Sequence, residues 1–454
     1  MGDSIWRHFA AASILACLLA PTTLRSLAGA PETAPNIRYS DDVTTADRQF
    51  RAFQRLPTVE VSQVRNVDRV RTAVDALVLF QLENKGLGFS PDAEPATLLR
   101  RVYLDLTGLL PSPEEVDASL AKLDEDPTDN AFEQLIDRLL GSPQFGERWG
   151  RHWLDVAGFV DVLGSDENAT AIRISPGKWK YRDYVIRSFN EDKSYDRFLT
   201  EQLAGDELVD WRNAETFTPE IRELLVATGF LRMAVDDTNQ PVLDIPSNRH
   251  ATIYDTLEML GTSLFGLTLQ CARCHSHKFD PIPQRDYYQL MSLLTPAYNP
   301  DHWVTLQERD LADISPQRKA RWEADNAELD RRVADLEQQK AAILKPIEER
   351  IFDRKLAQVP EAIRAETKHA ILIPAGQRNE SQSKLAKSFQ STVNPTPDEI
   401  QAEITAEERA TTSDLDNRVA DFQGRRQTWG MIQAMYDTGP RSRVIFTSEA
   451  ATSS

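Results

Sequence analysis

The sequence predicts a mainly α-helical protein, on three observations: apolar residues recur at spacings of three and four, no stretch alternates as a strand does, and glycine and proline punctuate the helical runs. From Val67 to Lys85 the residues Val67, Val70, Val74, Leu77, Val78 and Leu82 predict the apolar stripe of one helix, which Gly86 and Gly88 stop. A second helix is expected from Pro95 through Leu106. Thr107-Gly108 and Pro111 break the chain there, and Ser112 before Pro113-Glu114-Glu115 reads as the cap and first turn of a third. Phe132, Leu135, Ile136, Leu139 and Leu140 carry the same period up to Gly141-Ser142-Pro143. A further helix is expected from Ile253 to Leu269, with Leu257, Leu260, Leu264 and Leu267 on one face, leading straight into a cysteine motif.

Between residues 145 and 211 aromatic side chains are dense, among them Trp149, Trp153, Trp179, Tyr181, Tyr184 and Phe198. Core packing explains them, and together they also suit the walls of a large planar ligand. From Pro316 the texture turns charge-rich. Trp322, Leu329, Leu336 and Ile343 fall seven apart, with Asn326, Val333, Lys340 and Ile347 on the companion seam. Leu415, Val419, Phe422 and Trp429 suit a return helix, so a helical hairpin or coiled-coil-like arm is expected. The polar stretch from Asn379 to Pro397 reads as a loop within it.

A chain of 454 residues exceeds the size at which one core keeps growing, and its 41% hydrophobic and 27% charged residues are a globular composition. A net charge of -18 repels nucleic acid, which is set aside as a partner. Arg7 followed by the apolar run Phe9 to Ala20 reads as an export signal, with Ser26 and Ala28 suiting a cut after Ala28. A rival cut before Cys17 would leave a lipoprotein anchor. The expected organisation is a signal peptide over 1–28, a tether over 29–64, a helical domain over 65–300, the arm with its loop over 301–437, and an unpatterned tail over 438–454. No run beyond the signal is long enough to span a bilayer, so the location expected is periplasmic or otherwise extracytoplasmic.

Cys17 lies in the signal, which leaves the mature chain only Cys271 and Cys274, in Cys271-Ala272-Arg273-Cys274-His275. C-x-x-C-H is the haem c attachment signature: two thiols one turn apart add across the vinyl groups of a porphyrin, and the adjacent imidazole meets the iron. Cys271 and Cys274 are the expected thioether residues and His275 the proximal ligand. Met233, Met259, Met291, His152, His250 and His302 are candidates for the distal position, whereas His277 is expected to hydrogen-bond on the proximal side. Two other readings stay open. Cys271, Cys274, His275 and His277 are also the ligand types of a zinc site, and the two thiols alone suit a disulfide.

Several longer blocks accompany the motif. They are Arg100 to Leu109, reading RRVYLDLTGL; Ser142 to Trp149, SPQFGERW; His152 to Asp155, HWLD; Tyr181 to Val185, YRDYV; Glu201 to Asp206, EQLAGD; and Cys271 to Ile282, CARCHSHKFDPI. Over roughly residues 65–296 these resemble the exported planctomycete domain of unknown function numbered fifteen forty-nine, a family associated with planctomycete-type cytochrome c domains. The resemblance implies fold and export rather than a reaction. No separate cytochrome domain is recognised before residue 65. Relatives continue past the Met431 to Asp437 segment into a domain numbered fifteen fifty-three, so the chain is expected to be truncated before it.

Two function classes follow. One is an exported haem c protein with an electron-transfer or redox role, working with redox partner proteins or on extracellular polymers. The other is a non-redox binding or hydrolytic module, in which the C-x-x-C-H-x-H segment is a zinc or disulfide staple and carboxylates such as Asp155, Asp161, Asp183, Asp206 and Asp280 do acid-base work.

Overall fold

A computed structural model of the chain describes residues 42–58, 60–125, 129–163, 173–238, 242–306 and 308–439. The expected signal with its cut at Ala28, the first part of the tether and most of the tail lie outside the described residues. The described chain is mainly helical: its regular structure is a succession of α-helices, with only the two-residue strands β1 (Val162–Leu163), β2 (Arg173–Ile174), β3 (Leu311–Ala312) and β4 (Met431–Ile432). β1 pairs antiparallel with β2, and β3 with β4, where Leu311 faces Ile432. None of the described helices is long and apolar enough to cross a membrane.

Two compact units emerge. Among the described residues the smaller, the motif unit, takes those up to 58 and 267–290, and the larger, the helical unit, takes those of 60–266 and 291–439. Within the described residues the motif unit holds the short helix α1 (Thr45–Arg48) and the cysteine segment.

The helical unit opens with α2 (Ala73–Asn84), α3 (Pro95–Thr107), α4 (Pro113–Glu125) and α5 (Asp129–Leu140). The expected first helix is corrected in both start and face. Thr72 and Asp75 cap each other's backbone, so the helix begins at Ala73 and Val67 is left in a separate 3-10 turn. Ala76 and Leu79, three apart, then point inward, which leaves Val74, Leu77 and Val78 exposed. Further along, Ser112 caps α4 as expected, accepting from the Glu115 amide at 3.2 Å, and the Glu115 carboxylate answers by accepting from the Ser112 amide at 2.8 Å. Leu99 and Tyr103 of α3 close over Leu135 and Leu139 of α5.

Next come α6 (Pro143–Val156), α7 (Trp179–Asn190), α8 (Tyr195–Ala204), α9 (Pro219–Ala227) and α10 (Pro246–Leu260). Helices α6 and α7 cross at small residues: a Cβ on Gly146 would stand 2.3 Å from the Ile186 carbonyl oxygen, and the Gly146 amide donates to Asn190 Oδ1 at 2.8 Å. The aromatic rings close on one another. Trp153 meets Phe198 edge-on at 4.9 Å, Tyr184 stacks on Phe198 at 5.8 Å, and Tyr181, Tyr184 and Phe198 are buried. What remains open between Phe145, Trp153, Phe189, Tyr195 and Phe198 is a cleft of about 300 Å³. Helix α10 stops earlier than its period suggests. After Leu260 the chain makes one wider turn over Gly261–Phe265, and Gly266, at φ 62°, ends it in the left-handed region that glycine tolerates. Leu264 and Leu267 are therefore only half-buried, off the helical face expected of them.

Helix α11 (Gln284–Tyr298) precedes the long α12 (Pro316–Leu356), followed by α13 (Glu361–Leu372), α14 (Glu380–Val393), α15 (Pro397–Glu403) and α16 (Ala406–Gly424). Leu336 of α12 packs with Leu415 and Val419 of α16, and Val333, Ile343 and Phe422 flank them. Their polar pairs run antiparallel: Lys340 meets Asp416 at 2.6 Å, and Asn326 donates to the Gln427 carbonyl at 2.9 Å. The stretch from Asn379, expected as a loop, is instead α14. Asn379 and Gln382 cap it reciprocally, and Ala386 and Val393 are buried, with Val393 in a cluster that includes Leu356, Val359 and Phe389.

Candidate functional site

The cysteine segment is built on one tight turn. Gln270–Arg273 forms a 3-10 helix, with the Ala272 amide donating to the Leu269 carbonyl at 2.9 Å. The amides of Cys274 and His275 both reach the Cys271 carbonyl at 3.3 Å. In 3-10 geometry residues three apart eclipse, so Cys271 and Cys274 stand on the same edge of the turn. Both thiols are exposed and free of a disulfide, while Ala272 between them is fully buried. The Arg273 carbonyl accepts from Gln284 Nε2 at 3.1 Å and from the Tyr288 hydroxyl at 3.0 Å, which ties the turn to the start of α11.

The two imidazoles that follow differ in what their nitrogens do. His275 is exposed, and its Nδ1 lies 2.8 Å from the Ser276 carbonyl oxygen. A carbonyl only accepts, so Nδ1 carries a proton in this contact. His277 is 7% exposed, and its Nδ1 accepts from the Asp280 amide at 2.9 Å and the Phe279 amide at 3.4 Å. Its backbone amide donates to the Ile282 carbonyl at 2.9 Å, so this ring organises the loop from 277 to 282. Lys278 and Phe279 stand at the loop's tip, with Phe279 72% exposed.

These residues fit a covalently held haem. The group requires two thiols on one side of a turn and an imidazole beside them, and Cys271, Cys274 and His275 are those residue types on that turn. A single metal shell is a different matter. Among the described residues no three His, Cys, Asp or Glu side chains gather closely enough to hold a metal ion, and His277 Nδ1 is engaged by backbone amides.

Of the distal candidates, Met233 and Met291 are buried, Met259 and His250 are half-buried, and His152 and His302 are exposed. The structure singles out none of them. The carboxylates named as acid-base candidates are scattered: Asp155 pairs with Arg151 at 2.8 Å, Asp161 and Asp183 with Arg182 at 3.6 and 3.3 Å, and Asp280 lies 3.3 Å from His277 Nδ1. Asp206 stands alone in its titration. Burial, then the nearby Glu207 and Asp437 carboxylates, pushes it up to about 6.

The other blocks have a different character. Gln202 Oε1 accepts from the Tyr181 hydroxyl at 2.5 Å and from Trp153 Nε1 at 3.1 Å. Glu201, 4% exposed, accepts from the Tyr184 hydroxyl at 2.8 Å, and from Lys193 and Arg197 at 2.7 Å each. Burial raises the pKa of Glu201, but the Lys193, Arg197 and Tyr184 hydrogen bonds outweigh it and hold the carboxyl below its usual range. Burial pushes the Tyr181 phenol far above its own. Sequence reasoning did not single out Glu201 and Lys193 as a network; Glu201 alone lies in the EQLAGD block, and Lys193 belongs to no motif.

No curated protein matches the chain. No solved structure matches it either. The family model described as PSCyt2, protein of unknown function (DUF1549), matches residues 73–298, a span that contains both the buried blocks and the cysteine segment, and the chain belongs to that family.

Proposed function

We propose that this chain is an exported haem c-binding protein that passes single electrons to or from a partner outside the cytoplasm. One observation carries the reading: Cys271, Cys274 and His275 are all exposed along a single helical turn, the two thiols on one edge. Unpaired cysteine is ordinarily among the most buried residue types, so two exposed thiols in this spacing have a chemical rather than a packing use. The haem would supply a one-electron couple. Cys271 and Cys274 would hold it, and His275 would offer Nε2 to the iron while Ser276 keeps the ring's other nitrogen protonated. His277 keeps the loop behind that ring in shape through its bonds to the 279 and 280 amides. The N-terminal apolar run supports export, and thioether attachment takes place outside the cytoplasm. Partners of this reading are redox proteins or an oxidisable extracellular polymer.

The test is the intact mass of the chain after expression in a host with haem-attachment machinery. A porphyrin mass that survives denaturation, lost in the Cys271→Ala, Cys274→Ala double variant, is the expected result. A colourless chain with one zinc removed by chelation, or one that gains two hydrogens on reduction, replaces this reading with the metal or disulfide staple of a non-redox module.

A further inference from the structure

The helical unit buries a second polar centre that owes nothing to the cysteine segment. Four pieces of chain meet there. The turn from Ser175 to Lys178 lies against β4, since a Cβ on Gly177 would stand 2.0 Å from the Met431 carbonyl oxygen. The 3-10 turn Thr228–Arg232 lies against the residues after β4: a Cβ on Gly229 would stand 2.8 Å from the Gln433 carbonyl oxygen, and the Met435 amide donates to Thr228 Oγ1 at 2.9 Å. Arg232 donates to the Ala434 carbonyl at 3.3 Å, and to Asp310 and the Leu306 carbonyl at 2.7 Å each.

Most polar groups in this corner are spent, and a few are conspicuously not. Lys178 is 4% exposed, yet its ammonium makes no hydrogen bond or ion pair among the described residues. Asp310 is committed to Arg232, and Asp161, the other carboxylate acting on Lys178, is exposed and paired with Arg182. The Ser175 hydroxyl, 1% exposed, has no partner among the described residues. Neither polar atom of the Gln433 amide has one among them either, although that residue is only 3% exposed. Buried polar groups in folded proteins are nearly always satisfied, so a set of orphans in one corner points to a missing occupant.

The chemistry of the orphans describes that occupant. Lys178 and the Gln433 amino group only donate, Ser175 does either, and Gln433 Oε1 only accepts. Water would satisfy the hydrogen bonds but not the ammonium, which has no counter-ion of its own among the described residues. We propose that Lys178, Ser175 and Gln433 bind a small oxyanion that itself carries a hydroxyl, of the hydrogen phosphate class, beside the Arg232–Asp310 pair. Burial, then the Arg232 charge, lowers Lys178 to about 8, which is the behaviour of an amine waiting for an anion.

Thermal unfolding of the full chain in sodium phosphate, against sodium chloride of equal ionic strength, tests it. At a hundredfold excess over Kd, phosphate should raise the midpoint by about 5 °C. Lys178→Met and Gln433→Leu, each of similar volume, should each weaken the phosphate response at least tenfold, and Gln433→Leu keeps the test alive should the lysine variant fail to fold. A wild-type midpoint that moves no more in phosphate than in chloride overturns the proposal. So does a sulfate response as large as that of phosphate, or a wild-type response in either variant.

Discussion

The block around Tyr181, Glu201 and Gln202 and the segment from Cys271 to Ile282 both lie in the span that matches the family model, yet they treat their polar side chains in opposite ways. In the first, a carboxylate, an amide and two phenols are buried and bonded to one another at 2.5 to 2.8 Å. In the second, the backbone is bonded internally while two thiols and an imidazole face outward. A buried polar group that has all its partners is architecture, because leaving it unpaired costs more than the pair gains. An exposed reactive group on a fully bonded turn is held ready for something else. Motif residues therefore separate into those that make the fold and those that use it.

Removing a member of the buried block should show the largest effect. Glu201→Ala takes the 2.7 Å partner from the Lys193 ammonium, whose side chain is 14% exposed, leaving it Glu223 at 3.3 Å, and deprives the Tyr184 hydroxyl and Arg197 of their acceptor. A loss of about 3–5 kcal/mol in urea denaturation is expected. A loss below about 1 kcal/mol would mean that the network is decoration and that the contrast between the two motifs fails. Gly146→Ala comes next. Its Cβ would meet the Ile186 carbonyl at 2.3 Å, forcing α6 and α7 apart for about 1–3 kcal/mol, read in the same denaturation experiment.

Much of this division was legible in the sequence, and where it was not the reasons are specific. Ser112 with Glu115 announced a helix start because a cap is a local signal. The inward face of α2 was misread because Ala76, a small residue with little apolar signal, takes a core position while Val74 and Val78 do not. Helix α14 was hidden by its Ser, Gln and Lys content, although Leu385, Phe389 and Val393 recur every four residues. At the site, residue identity and spacing placed both thiols on one turn. The tautomer of His275 and the engagement of His277 by the 279 and 280 amides depend on how the loop folds back from Ile282, which no spacing reports.

Asp206 sharpens the comparison by lying between its extremes, half-buried in the EQLAGD block with like charges nearby rather than a partner cation in contact. Its folded pKa of about 6 lies above the ordinary aspartate value of 3.8, so the folded state binds the proton more tightly. The stability it contributes is present below about pH 4 and is lost as pH rises through 6. Asp206→Asn should therefore stabilise the chain at pH 7.5, by about 1–2 kcal/mol after allowance for solvent screening, and give no gain near pH 4. A gain that does not vary between those two pH values would show that the carboxylate is not the source.

The smallest effect on folding is expected at the residues with the largest expected effect on chemistry. Cys271 and Cys274 are exposed, and the turn that carries them is held by backbone bonds to the Cys271 and Leu269 carbonyls and by Gln284 and Tyr288 on the Arg273 carbonyl. None of these uses a thiol. Cys271→Ser with Cys274→Ser should therefore leave the denaturation midpoint of the cofactor-free chain unchanged, since exposed substitutions away from buried networks are close to neutral. The same double variant should lose all covalently held porphyrin after expression with attachment machinery. If instead it unfolds the cofactor-free chain under reducing conditions, the thiols are part of the architecture after all, and the cysteine segment belongs with the Glu201 block rather than opposite it. A fall in midpoint seen only under oxidising conditions would identify a disulfide, because a crosslink stabilises only while it is formed.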